Sequence, residues 1–150
     1  MMNPVHELHN GAYEQFRRAR RRATVERILA WLRRRPADLL CYGQVRDSLR
    51  SLASRQLGIH EIPLEAVAGS VERCSDYTRE FMPLKDSDQR RWVRVMEAAM
   101  AALDLPPIRA YRVGDIYFVA DGHHRVSVAR LRGQDHIVAA VIDVPVETML

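Results

Sequence analysis

The chain has 150 residues, of which 47% are hydrophobic and 28% charged, and a net charge of +4. That is enough for one domain with an appendage and too little for two full domains. No run reaches the ~18 apolar residues of a membrane span, and residues 1–9 lack the cationic-then-apolar order of a signal peptide, so a cytoplasmic chain without a membrane partner is expected.

Cys41 and Cys74 are too far apart for a CxxC motif and too few for a stapled secreted scaffold, so two reduced, structural thiols are expected, with a disulfide as the alternative. The charge is unevenly spread. Residues 14–35 hold nine arginines against Glu14 and Glu26, a net +7, which leaves −3 for the rest. Lys85 is the sole lysine. An arginine bias that pervades the whole chain says little about any single site, so the placement of the arginines carries more than their type.

From residue 13 to 32, Val25, Ile28, Leu29 and Leu32 recur at helical spacing, extended backwards by Ala23, Ala19 and Phe16. The pattern predicts an amphipathic helix begun by Asn10 or Gly11 and stopped by Pro36, with Arg33, Arg34 and Arg35 at its C-terminus. A second helix is predicted over 38–55, with Asp38 near the cap and Leu39, Leu40, Val45, Leu49 and Leu52 buried, ended by Gly58. Residues 59–62 read as a strand and 64–67 as a helical turn, followed by an irregular polar stretch over 69–85. Ser87 caps a predicted helix over 87–103, with Trp92, Val95, Met96, Ala99 and Leu103 inward. Residues 108–113 and 116–120 form a predicted hairpin through Gly114 and Asp115, then a helix runs to Arg132, and 136–144 closes as a strand. The expected organisation is an Arg-rich helical segment over 1–57 and an α+β unit over 58–150.

The run Asp121-Gly122-His123-His124-Arg125 ends a strand and opens a helix, an arrangement suited to an anion. Backbone N–H groups and the positive end of the helix dipole face the turn, Gly122 lets the backbone approach a ligand, and a guanidinium at 125 can hold a phosphate through two nitrogens. Asp121 would cap the helix or partner a metal or hydroxyl. The spacing equally fits a plain capped turn with solvated histidines. Adjacent histidines diverge around a helix, so no metal site is expected from His123 and His124, and His6 and His9 read as tail. Phosphate contacts of this kind give about 3–5 kcal/mol, whereas a micromolar ligand needs about 8, so a nucleotide must also be held by its base, sugar or a metal.

The order of the strand Ile-His-Glu-Ile-Pro-Leu, a polar loop, a helix, the hairpin, Asp-Gly-His-His-Arg, a small-residue helix and a closing strand resembles the ParB/sulfiredoxin-like superfamily over residues 59–145. The resemblance implies a mixed sheet with helices. Sulfiredoxins carry a nucleophilic cysteine at the position of His123, so sulfinic-acid repair is excluded. ParB-type partition proteins, which bind CTP, match at Gly122 and Arg125; the free-serine kinases, with Asp-Gly-His-Thr-Arg, match at Asp121, Gly122, His123 and Arg125.

The kinase-type resemblance implies ATP, ADP or CTP with Mg²⁺ at the Gly122 turn and a carboxylate base from the loop after the first strand. Glu72 stands there, with Glu65 as a weaker option, and Arg73 could offset charge; Asp76, Tyr77 and Arg79 would line the same cleft. Set against that role, Glu72 also reads as a surface carboxylate paired with an arginine. The leading expectation is a nucleotide-phosphate-binding domain, with phosphotransfer to a small hydroxylated substrate as its implied activity. The rival is a non-catalytic DNA-associated or regulatory module acting through Arg17 to Arg35, whose arginines otherwise form a solvated or paired face or join two copies as a homodimer. No carboxylate cluster supports a metal nuclease.

Overall fold

The computed structural model describes residues 3–41 and 54–145. Helix α1 spans Pro4–Leu32 and starts earlier than Asn10 or Gly11, because Asn3 accepts from the Val5 N–H at 3.2 Å and Pro4 fills the first helical position. An internal glycine costs a helix only about 1 kcal/mol, which a good cap and tertiary packing override.

The buried stripe of α1 also differs from expectation. Ala12, Phe16, Ala19 and Ala23 are buried, whereas Val25, Ile28, Leu29 and Leu32 are exposed. The small residues let α1 approach helix α2 (Gln89–Met100) closely, and Phe16 meets Trp92 edge-to-face at 5.5 Å between ring centroids. Further along, α1 touches the body through polar groups. Arg22 pairs with Glu80, and Glu26 accepts from the Thr78 hydroxyl and the Glu80 N–H.

The helix expected from Asp38 is absent at its start. Asp38 bridges Thr78, and strand β1 (Leu40–Cys41) runs parallel to strand β3 (Val67–Ser70); residues 42–53 of that expected helix lie outside the described residues. Pairing with the sheet edge takes the backbone groups that a helix would use. The same pairing brings Cys41 to the loop after β3, where it forms a disulfide with Cys74 across a Cα–Cα distance of 5.1 Å. The expectation of two free thiols is thereby corrected: a separation of 33 residues along the chain carries no information about proximity once β1 docks beside β3.

Strand β2 (Arg55–Pro63) is longer than expected and is followed by a 3-10 turn at Leu64–Ala66. The hairpin forms as β4 (Ile108–Val113) and β5 (Ile116–Asp121); helix α3 (His123–Leu131) follows, and β6 (His136–Val144) closes the chain. The six strands form one mixed sheet in the order β1-β3-β5-β4-β6-β2. Pairing is parallel for β1–β3, β3–β5 and β4–β6, and antiparallel for β4–β5 and β2–β6. The fold is α+β. At Gly69 a Cβ would lie 2.5 Å from both the Leu40 carbonyl oxygen and the Phe118 ring, so only glycine lets β1 and β5 flank β3 here.

Helix α3 is the centre of the molecule. Val126 and Ala129 join the sheet-side core with Ile62, Ile108, Val119 and Val141, while Val128 and Leu131 join the cluster with Phe16, Trp92 and Met96. Its small residues follow from being packed on two sides, and Ser127 satisfies the buried Trp92 indole N–H at 2.8 Å. Helix α2 departs from expectation at both ends. A 3-10 turn at Asp86–Asp88 precedes it in place of a Ser87 cap, and Leu103 is exposed rather than inward.

Candidate phosphate site at the start of α3

The turn that opens α3 is set by Gly122, at φ 103°, and no side chain caps the helix. A Cβ on Gly122 would fall 2.5 Å from Ile108 Cγ2 and 3.0 Å from Arg125 Nη2, so glycine here serves the left-handed turn and the packing behind it. Asp121 does not cap the helix: its Oδ2 accepts from Arg125 Nη2 at 3.2 Å instead. The first amides of α3, at His123, His124 and Arg125, therefore have no intrahelical acceptor, as at any helix N-terminus, and no capping oxygen.

These residues face a cavity of about 230 Å³ lined also by Glu72, Arg73, Arg91, Val95 and Ala120. The structure thus brings together Glu72, Arg73 and Asp121 to Arg125, residues singled out from the sequence. Glu65, in the 3-10 turn after β2, and Asp76, Tyr77 and Arg79 do not line this cavity. Arg91 was not singled out. It is exposed on the first turn of α2, and pairs with no carboxylate among the described residues. A larger groove of about 850 Å³ lies between α1 and α2, and Arg91 borders both spaces. The smaller one is lined by the start of α3 together with Arg73 and Arg91 and is the candidate site.

Behind the cavity is a buried polar network. Ser70 Oγ lies 2.7 Å from His123 Nε2 and accepts from the Arg73 N–H at 2.8 Å. A neutral imidazole accepting the Ser70 hydroxyl proton satisfies all three groups. Burial is what lowers the His123 pKa, to about 4, with the Arg73 charge adding to it. The His123 ring stacks on Tyr77 at 5.9 Å between centroids. These histidines are not solvated: His123 is buried, and His124 donates through Nε2 to Asp88 at 3.2 Å, its own pKa lowered by burial against the pull of Asp88.

Arg73 donates through Nε to Asp76 and through Nη2 to Asp88, each at 2.8 Å, and Lys85 also reaches Asp76 at 2.8 Å. Burial disfavours the Arg73 charge, but its bonds to Asp76 and Asp88 more than offset this and fix the guanidinium as a cation. That use of Asp88 explains why its side chain does not cap α2. Ser70 and Asp88 carried no signal in the sequence; each stands where only the packing of the β3 loop against α3 reveals it.

Arg125 is anchored. Its Nη1 donates to the carbonyls of Pro106 at 2.6 Å and Pro107 at 2.8 Å, and its Nη2 to Asp121. It shapes the cavity wall. Among the described residues no group of three metal-binding side chains occurs. Glu72 and Asp121 are the two carboxylate residues that line the cavity. Among the described residues, no helix is long and apolar enough to cross a membrane.

No family model and no curated protein matches the chain. Among solved structures it is similar to sulfiredoxin from Arabidopsis thaliana, with 22% identity and a TM-score of 0.45, over 61% of this chain and 91% of that one.

Proposed function

We propose that this protein binds the phosphate groups of a nucleotide at the opening turn of α3. The observation that carries the reading is the uncapped α3 N-terminus opening on a cavity whose wall includes Arg73, Arg91 and Arg125. Helix amides and guanidinium groups are the donors that phosphate oxygens accept from, and the buried network behind them holds the amides in place before a ligand arrives. A cavity of about 230 Å³ suits the phosphates rather than a whole nucleotide, so the nucleoside extends past Arg91 toward the α1–α2 groove.

Phosphotransfer to a small hydroxylated substrate is the activity this arrangement supports. The attacking hydroxyl gives its proton to Glu72, which lines the cavity together with Asp121. Mg²⁺ arriving with the nucleotide would be held by Asp121 and would offset phosphate charge. Arg73, fixed as a cation by Asp76 and Asp88, supplies positive charge that does not depend on pH.

The test is a melting series with ATP, ADP and CTP, each with Mg²⁺. One of them raises the melting temperature, and Arg91→Ala weakens that ligand about 10- to 100-fold, the loss of one charge-assisted contact, without lowering the melting temperature of the free protein. No shift with any of the three overturns the reading. Glu72→Gln stops turnover at unchanged affinity; retained turnover removes Glu72 as the base.

A further inference from the structure

We propose that the outward face of the second half of α1 is a docking surface for an acidic amphipathic helix of another protein. Val25, Ile28, Leu29, Trp31 and Leu32 are all exposed, Trp31 at 78%. Isolated exposed apolar residues are ordinary, but five within eight consecutive positions on one helix make a contiguous apolar surface. Val25, Ile28, Leu29 and Leu32 also keep the i, i+3, i+4, i+7 spacing with which one helix packs against another. Beside them opens a groove of about 320 Å³, floored by Val25, Leu29 and Ala30 and rimmed by Arg22, Arg33 and Arg35.

Charge decides the partner. Of the nine arginines in residues 14–35, Arg17, Arg20 and Arg22 pair with Glu14, Asp86 and Glu80. Arg18, Arg21, Arg27, Arg33, Arg34 and Arg35 pair with no carboxylate among the described residues. The carboxylates at the groove are already engaged, Glu26 by Thr78 and Glu80 by Arg22. An apolar seam with an arginine rim calls for aliphatic side chains flanked by carboxylates, and an acidic amphipathic helix presents both at the matching period.

A second copy fits worse. Antiparallel pairing about Ile28 would set Arg21 against Arg35 and Arg22 against Arg34, and parallel pairing would set the arginine rows against themselves. A nucleic-acid backbone meets the arginines but leaves the five apolar side chains in water, and a lipid surface leaves the groove unfilled.

The experiment titrates the full chain with a synthetic helix of about 21 residues bearing leucine at a and d and glutamate elsewhere. Trp31 fluorescence reports docking, since Trp92 is wholly buried in the core. The expected result is a saturable blue shift. Ile28→Asp with Leu32→Asp weakens binding at least about tenfold at an unchanged melting temperature, and a lysine-for-glutamate peptide gives no shift. The proposal is overturned if the lysine peptide binds as well, or if the double variant binds the acidic peptide as tightly as the parent. It is equally overturned if sedimentation shows self-association that the double variant dissolves, or if duplex DNA or phosphatidylserine vesicles bind more tightly than the peptide and survive the double change.

Discussion

The N-terminal and C-terminal parts of α1 both carry apolar residues at helical spacing and have opposite fates. In the first half Ala12, Phe16, Ala19 and Ala23 are buried against α2; in the second Val25, Ile28, Leu29 and Leu32 face outward, although their side chains are the larger. What separates the halves is the surface each one meets. Small residues admit close approach to Trp92, whereas Glu26 and Arg22 tie the second half to the loop at 78–80 through hydrogen bonds and leave its aliphatic side chains on the far side. A helical apolar stripe therefore states that a face is made for covering; it does not state by what.

The largest expected effect comes from breaking the packed half. Phe16 is 2% exposed and stands edge-on to Trp92. Phe16→Ala should cost about 3–4 kcal/mol in urea denaturation, the sum of lost transfer energy and a cavity between α1 and α2. A loss below about 1 kcal/mol would mean that the first half of α1 is not seated as described.

The turn at α3 offers a second contrast with the outward face of α1: its two histidines are drawn inward and hydrogen-bonded to Ser70 and Asp88, where Arg18, Arg21 and Arg27 of α1 are exposed. That burial has a pH signature. His123 is held neutral, with its pKa lowered to about 4 by burial, from 6.5. Between those values the unfolded chain binds more protons than the folded one, so the stability from His123 is present above pH 6.5 and is lost as pH falls toward 4. The loss should reach about 3 kcal/mol. Glu26, raised by burial, slopes the other way, so the informative measurement is the difference between the parent and His123→Gln in urea midpoints from pH 7 to 4.5. Equal slopes in the two proteins would show that His123 titrates as it does in water.

Much of the architecture was legible from the sequence. Hairpin, closing strand and the helix opened by Gly122 follow from turn residues and runs of one period, and they stand where expected, with β6 at His136–Val144. Four things were not legible, each for a physical reason. The pairing of β1 with β3 is set by sheet contacts far apart in sequence, and with it come the extended residues 38–41 and the Cys41–Cys74 disulfide. The partners of the histidines, Ser70 and Asp88, are distant in the chain and of residue types common on any surface. Arg125 reads as a phosphate grip by position, but the carbonyls of Pro106 and Pro107 occupy two of its donor bonds, and nothing in a spacing pattern records a carbonyl. The exposed Arg91 completes the cavity only because α2 crosses the start of α3.

The smallest expected effect sharpens the comparison most. Ile28 and Leu32 are 53% and 64% exposed, so truncating them removes little buried area. Alanine is also the better helix former than isoleucine, by a few tenths of a kcal/mol. Ile28→Ala and Leu32→Ala should therefore leave stability within about 0.5 kcal/mol of the parent, with Ile28→Ala on the stabilising side. The same truncation costs several kcal/mol at Phe16, on the same helix, because only there is a partner already seated. If Ile28→Ala instead lowers the urea midpoint strongly, and does so more at high protein concentration than at low, a second copy covers the face. A strong loss at every concentration would place the cover within the chain itself.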